Sequence, residues 1–398
     1  MTPADADKLI FARIRATPSV GLPLAECWGA VLTDAVSADR AQPPADRVLV
    51  DGIALAGAAL ISGARSFRRQ GLQAAGEPPL RLVSADHCIE VTTGAVLPDG
   101  CNTVAPLEVI EVVGARVTIS PRWLPSPDAN VQRRGAEALA GQELLSPGVV
   151  LRAPEIAAAA AVGCGVLMVR RPARVQLLSV GTELMSIDAP VEPWQVRRAT
   201  MAAVSATLRR HGIPEIDSDH VDDDPEQLRE RISVALVGVD VLVVCGATGH
   251  GAHDFLAAVL AAVGVLPVVT GVNQRPGGSM WFGVGPRGQL VFALPGSLPA
   301  TLACLVRYVV PTLCRMTGHR SVEPTSVALA DGLPVGGPTC RFIPVVLSRE
   351  DAGIARAATR GPGRPGDVLS LLATDGIVEI TSASGPIVAG TVVPFYSW

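Results

Sequence analysis

Lysine is all but missing from this chain: of its 33 basic residues only Lys8 is a lysine, and it lies near Asp5 and Asp7 at the N-terminus. Chemistry that needs a Schiff-base lysine or a phosphate-binding lysine in the body of the protein is therefore excluded. Arginine supplies the charge but not a titrating amine. A P-loop, with its Gly-Lys-Ser/Thr, is excluded on the same ground. No C-x-x-C pair occurs among the eight cysteines at 27, 88, 101, 164, 245, 304, 314 and 340. A core-rich chain of this length needs no disulfide scaffold, so reduced thiols and a cytoplasmic location are expected. The N-terminus lacks the basic region of a signal peptide. The longest apolar run, Phe255 to Val269, is broken by Gly264 and Pro267 and is too short to span a bilayer. No serine sits in a G-x-S-x-G elbow. With a net charge of −4 and scattered arginines, no basic face for nucleic acid is expected.

What is present is glycine, proline and apolar residues: 40 Gly, 33 Pro and a 48% hydrophobic fraction in 398 residues. This is a folded chain of many short elements, long enough for two to four domains at roughly 100–200 residues each. Asp5 to Ile14 has helical spacing, and Pro43-Pro44 ends regular structure. Leu80–Val83, His87–Val91, Thr103-Val104, Val109–Val113 and Val117–Ile119 read as strands of a β-rich module. From 173 to 318 the pattern alternates. Strands are expected at Val175–Val180, Val239–Cys245, Val265–Val269 and Leu290–Leu294. Helices are expected at Arg198–His211, Pro225–Leu236 with Asp224 as N-cap, Phe255–Val263, and a long closing helix Leu298–Thr317. Such alternation means a parallel sheet covered on both faces, with ligands beyond the carboxyl ends of its strands. Three of those ends carry glycine: Gly181, Gly246 and Gly296. Residues 320–398 return to strands, with one short helix at Asp367–Ala373.

Two G-x-G-x-x-G matches do not read as dinucleotide sites. Gly283 to Gly288 leads into a strand and reads as a hairpin turn, while Gly361 to Gly366 carries two prolines. His250, His253 and Asp254 lack the spacing of a zinc site. More informative are loops that combine glycine with carboxylate: Asp51-Gly52, Thr92-Thr93-Gly94, Gly181-Thr182-Glu183, Asp222 to Asp224, and Cys245 to Asp254. Glycine lets backbone approach an anion, and nearby carboxylates tolerate that anion only through a divalent cation. The combination suggests a phosphate-bearing ligand with Mg²⁺. Singly, Asp51 and Asp222 to Asp224 also read as turn or cap residues.

In order along the chain, these segments resemble the molybdopterin molybdenumtransferases (the MoeA and gephyrin E-domain family). Val50-Asp51-Gly52-Ile53-Ala54-Leu55 is similar to M-D-G-Y-A-V. Val91 to Val104 followed by Glu108 is similar to T-G-A-x-x-P-x-G-A-D-A-V-V…E, and Asn130 to Glu137 to N-V-R-x-x-G-E-D. Ser179 to Leu184 resembles S-T-G-D-E-L, and Cys245 to Asp254 resembles S-G-G-V-S-V-G-x-x-D. Arg275-Pro276-Gly277-Gly278 resembles K-P-G-K, and Leu294 to Ser297 resembles L-P-G-N.

The resemblance implies a multidomain α/β plus β fold. Its parts would be an elongated linker domain (1–45 and 128–172), an inserted β domain (46–127), a central MogA-like three-layer α/β/α domain with a mostly parallel sheet (173–318) and a C-terminal β domain (319–398). It implies a homodimer, with molybdoenzymes or other cofactor-biosynthesis proteins as partners. The implied reaction takes adenylylated molybdopterin and molybdate and, with Mg²⁺, releases AMP and leaves molybdenum on the dithiolene. Carried over residue by residue, the catalytic positions are Asp254, Glu183, Asp51 and Arg275. The metal positions are Asp51, Glu183, Asp223 or Asp224, Asp254 and Glu137. The cofactor-binding positions are Thr93, Gly181, Gly246, Thr248, Gly251, Pro276, Gly277, Pro295, Gly296 and Ser297. Departures concentrate on the anion-holding side. Thr182 and Glu137 stand where the family has Asp, Arg275 and Gly278 where it has Lys, Ser297 where it has Asn, and Ala300 and Pro365 where it has Ser. The chain therefore reads as an insertase, or a paralogue acting on a related pterin. The alternatives are a catalytically degenerate member that binds molybdopterin or a partner, and a scaffold that keeps only the fold.

Overall fold

The structure, a computed structural model, describes residues 1–124, 126, 128–246, 255–319, 324–334, 337–348, 354–360, 367–381 and 385–398. The chain divides into two units, one of Leu22–Trp28 and Asp34–Leu167, the other of Met1–Gly21, Gly29–Thr33 and Met168–Trp398.

The unit of 34–167 is built on a six-stranded sheet. Its strands are β1 (Gly52–Leu55), β2 (Ser66–Gln73), β3 (His87–Val91), β4 (Thr103–Pro106), β5 (Ile110–Val113) and β6 (Arg116–Ile119), in the spatial order β4-β1-β3-β2-β6-β5. Alternate side chains form two cores. Ile53, Leu55, Phe67 and Val117 face one way, and Ala54, Ile89, Val91 and Val104 the other. Leu80–Val83, expected as a strand, is not one. The amides of Leu80 and Val83 donate instead to the side-chain oxygens of Gln73 (2.6 Å) and Gln70 (2.9 Å) on β2, leaving a single bridge between Arg81 and Asp99.

The larger unit opens with α1 (Pro3–Phe11), shifted toward the N-terminus from its expected place because Thr2 and Asp5 form a capping box. Its sheet contains β7 (Val175–Val180), β8 (Ile216–Val221), β9 (Val241–Cys245), β10 (Leu266–Thr270), β11 (Trp281–Val284) and β12 (Leu290–Leu294), ordered β8-β7-β9-β12-β11-β10. The first four are parallel. β11 runs antiparallel to β12, turning through the glycines at 283–288 as a hairpin. Neighbouring residues along β9 and β12 enter opposite cores, Val243 and Phe292 on one face and Val244 and Val291 on the other. Helices α2 (Ala199–Arg210) and α1 cover the first face. Helices α3 (Pro225–Gly238) and α4 (Leu256–Ala262) cover the second, giving the expected three layers.

The closing helix is not uniform. α5 (Leu298–Cys304) and α6 (Val310–Met316) flank a π-helical segment, Leu305–Val309. The C-terminal strands β13 (Thr325–Leu329), β14 (Cys340–Ser348), β15 (Arg356–Thr359), β16 (Gly376–Ile380) and β17 (Val392–Ser397) pair in the order β14-β15-β13-β17-β16. β16 also pairs with β14, so this sheet closes on itself. The helix expected at 367–373 is only a 3-10 turn, Leu369–Leu371.

Buried ionic contacts join these layers. On the π segment, Arg307 Nε donates to Glu379 Oε2 on β16 and its Nη1 to Asp7 Oδ1 on α1, both at 2.8 Å. Arg307 and Glu379 are each only 9% exposed in the side chain. Burial pushes the Asp7 carboxyl up against the opposing pull of Arg307. Removing one partner from a buried pair leaves its mate uncompensated. Arg307→Leu is expected to lower unfolding free energy by about 3–5 kcal/mol, read from urea denaturation. A loss below 1 kcal/mol would show that the network contributes little to stability.

Candidate functional site

Three adjacent parallel strands, β7, β9 and β12, end together at Gly181, Gly246 and Pro295-Gly296. Gly246 has φ +105°, and a Cβ built on it would lie 2.5 Å from the carbonyl oxygen of Val180. A built Cβ on Gly296 would lie 3.6 Å from the Cα of Gly246. The absence of a side chain at Gly246 is thus what lets the end of β9 approach β7 so closely, whereas the distance at Gly296 is an ordinary contact. The amides of Gly181 and Gly246 donate to Val221 O and Leu294 O, each at 3.1 Å, and so belong to the sheet edge. Gly296 and Ser297 differ. Among the described residues their amides have no partner, and Ser297, the N-cap of α5, makes no side-chain capping bond. Among the described residues, two amides and a hydroxyl are thus without partners at a helix start, where an anion is favoured.

Carboxylates border this edge. Glu183 folds back so that its Oε2 lies 2.7 Å from where a Cβ on Gly181 would stand. Asp223 and Thr182 clasp the loops after β7 and β8 reciprocally. Thr182 N donates to Asp223 Oδ2, and Asp223 N to Thr182 Oγ1, both at 3.1 Å. Asp224 caps α3, accepting from the amides of Glu226 (2.9 Å) and Gln227 (3.0 Å) and from Gln227 Nε2 (3.1 Å). Bonds from Gln227 and Glu226 hold its carboxyl below the usual range.

Arg275 lies on a two-residue strand, Gln274–Arg275, paired in parallel with Cys340 and Arg341 of β14. Its side chain is exposed, while Gln274 is buried and accepts from the Tyr308 hydroxyl. Gly277 packs beneath α5, where a Cβ would lie 2.5 Å from Cys304 Sγ and 3.5 Å from the carbonyl oxygen of Ala300. Ala300 is buried, so this departure falls at a packing position. Asp254, Thr248, Gly251 and Pro365 lie outside the described residues.

In the unit of 34–167, Asp51 Oδ1 accepts from Thr93 N (2.6 Å) and Thr93 Oγ1 (2.9 Å). The backbone bond first, then the hydroxyl, holds the Asp51 carboxyl below its ordinary value of 3.8. Gly52 is required because a Cβ there would lie 2.0 Å from Ala105 O on β4. Glu137 accepts from Gln132 Nε2 at 2.6 Å. Among the described residues, no group of three or more His, Cys, Asp or Glu stands close enough to hold a metal ion. Nor is any helix there long and apolar enough to cross a membrane.

A doubly covered, mostly parallel sheet with glycines and carboxylates at its carboxyl edge is an α/β architecture of the kind that takes ligands beyond its strand ends. Residues 176–315 match the family described as "Probable molybdopterin binding domain", and residues 1–163 match "MoeA N-terminal region (domain I and II)". A protein named molybdopterin molybdenumtransferase from a Synechocystis species is 30% identical over 372 residues, covering 93% of each chain. A Bacillus subtilis protein of the same name is 24% identical over 385 residues, covering 91% of this chain and 86% of its own. The crystal structure of a molybdopterin biosynthesis MoeA protein from Pyrococcus horikosii superposes with a TM-score of 0.82 at 24% identity. It covers 100% of this chain and 98% of that one, and it supports the fold. The chain belongs to the molybdopterin molybdenumtransferase family.

Two expectations follow. Gly246→Ala forces a Cβ onto Val180 O at positive φ. It is expected to cost about 1–3 kcal/mol of stability, measured by thermal melting; an unchanged melting temperature would mean that the strand ends are not closely held. Thr93→Val removes one of the two bonds to Asp51. The pKa of Asp51 should then rise toward 3.8, followed by carboxyl NMR titration. Because the folded pKa is depressed, the contribution of this bond is present above 3.8 and fades as pH falls below it.

Proposed function

We propose that this protein is a Mg²⁺-dependent molybdopterin molybdenumtransferase that acts in the cytoplasm as a homodimer, with its site in a cleft between subunits. Adenylylated molybdopterin and molybdate are its substrates. The pyrophosphate bond is cleaved, AMP leaves, and molybdenum remains on the dithiolene of the pterin. The observation that carries this reading is the glycine-lined strand edge at Gly181, Gly246 and Gly296, closed at Gly246, beside the amides of Gly296 and Ser297 that have no partner among the described residues.

The residues take the following parts. The amides of Gly296 and Ser297 and the Ser297 hydroxyl donate to substrate phosphate oxygens. Arg275 neutralises phosphate charge, with Pro276 and Gly277 shaping its approach. Carboxylate oxygens for Mg²⁺ and for orienting the attacking water would come from Glu183, Asp254 and Asp223 in the larger unit, and Asp51 and Glu137 of the unit of 34–167 are the further carboxylates assigned to the same chemistry. Mg²⁺ commonly binds through one or two carboxylates plus substrate phosphate rather than in an all-protein cage, and Glu183 with Asp223 are the described carboxylates at the sheet edge that would hold it in this way. When bound, it withdraws charge from the phosphate oxygens during bond cleavage. Asp224 is engaged by α3, which makes Asp223 the stronger metal candidate of the two.

A second reading, a member that binds the pterin without turnover, is favoured by Gly278. A lysine is missing there, and a built Cβ stands 3.0 Å from Gln274 O. Loss of one donor to a developing anion costs roughly 10²–10³ in rate. The test is AMP release from adenylylated molybdopterin with molybdate and Mg²⁺. Turnover should occur and fall by at least about 10² in Glu183→Gln. Tight binding of the nucleotide with no release would establish the second reading.

A further inference from the structure

We infer that Gln274 and Tyr308 are positioning residues for Arg275. Their buried hydrogen bond fixes the short strand that presents the guanidinium, and Arg307, next on the π-helical segment, ties that pair to α1 and the C-terminal barrel. The inference rests on the reading above, in which Arg275 holds a phosphate group of the substrate.

Successive side chains on a strand face opposite ways. Gln274 is 5% exposed and faces inward, and Arg275 faces solvent. A twist of the backbone that carries Gln274 out of its seat therefore turns Arg275 away as well. The seat is specific. Gln274 Nε2 donates to Gly277 O at 3.2 Å and to Pro276 O at 3.4 Å, and touches Cys304 Sγ at 3.4 Å. Its Oε1 accepts from Tyr308 OH. One amide thus holds together the strand, the Pro276-Gly277 turn and the helix. Burial pushes the Cys304 thiol up to about 12, so this sulfur is a neutral packing partner.

The helix reaches this contact through its π-helical segment. Tyr308 and Arg307 are consecutive, yet both are buried, and they serve different neighbours. Tyr308 bonds Gln274, while Arg307 bonds Glu379 and Asp7. Glu379 also accepts from Tyr396 OH at 2.8 Å, and the Arg307 guanidinium lies 5.1 Å and 5.4 Å from the Tyr308 and Tyr396 ring centres. The N-terminus contributes too, because Met1 O accepts from Asn273 N at 2.7 Å. The residues on both sides of Gln274 are thereby held by partners distant in sequence.

The test is a double-mutant cycle on the affinity for adenylylated molybdopterin, measured by calorimetry on the full chain. Arg275→Gln should weaken binding by about tenfold, the size of one charge-assisted contact. Tyr308→Phe, which keeps the ring and removes the hydroxyl, should weaken it severalfold. The double variant should bind no more weakly than Arg275→Gln alone, because positioning acts only through that guanidinium. Gln274→Met removes the same bond from the other side and should behave alike, covering the case in which Tyr308→Phe folds poorly. Additive losses in the double variant, or unchanged affinity in both Tyr308→Phe and Gln274→Met, would overturn the inference. Unchanged affinity in Arg275→Gln would overturn it together with the phosphate role of Arg275. Continued AMP release by that variant at the parent rate would then leave the transferase reading standing.

Discussion

Where the parallel strands β7 and β9 end, the backbone at Gly246 lies closer to the Val180 carbonyl oxygen than a side chain permits, and the sheet that carries this edge is covered by helices on both faces. At Gly246 the nearest atom to a built Cβ is a backbone carbonyl oxygen, which cannot swing aside as a flexible side chain would. The sheet beneath must hold this edge rigid, and its strands are buried on both faces by helices to do so. Beyond it, the chain leaves β12 and enters a helix within three residues, which puts beside this edge two amides that have no partner among the described residues. In the proposed reaction, binding there would need little rearrangement of the backbone, because the donors already sit where the fold ends.

Several departures from the family pattern acquire a local physical meaning. Thr182 replaces a carboxylate next to Asp223, so two acids are not pressed together and the pair can hydrogen bond in both directions. Ala300, on α5, is buried against the Gly277 turn, where a hydroxyl would need a buried partner. At Gly278 a side chain would press on the carbonyl oxygens of Gln274 and Val272, and the turn is held instead through the buried amide of Gln274. The positions proposed to hold the anion have thus lost charge while keeping a tightly packed turn.

Much of this was legible in the sequence. Apolar runs ending in glycine located β7, β9 and β12, and Asp224 announced the start of α3. The strand β8, Ile216–Val221, was not legible: it lies at the sheet edge and carries Asp217, Asp219 and His220, which break the apolar signal. The segment Leu80–Val83 misled because its apolar pattern suits a strand while glutamine side chains take its amides. Nothing local marks Gln274 as structural. Its meaning depends on Tyr308, 34 residues away, and on a π-helical segment that spacing rules for regular helices do not reveal. Asp51 and Thr93 were separately visible as motif residues, but their mutual bond follows from the pairing of β1 with β3.

The account is tested most directly by a crystal structure of the protein with adenylylated molybdopterin bound. It predicts phosphate oxygens within about 2.7–3.2 Å of the amides of Gly296 and Ser297, over the closed edge at Gly181 and Gly246. A nucleotide bound elsewhere, with those amides facing only water, would contradict it.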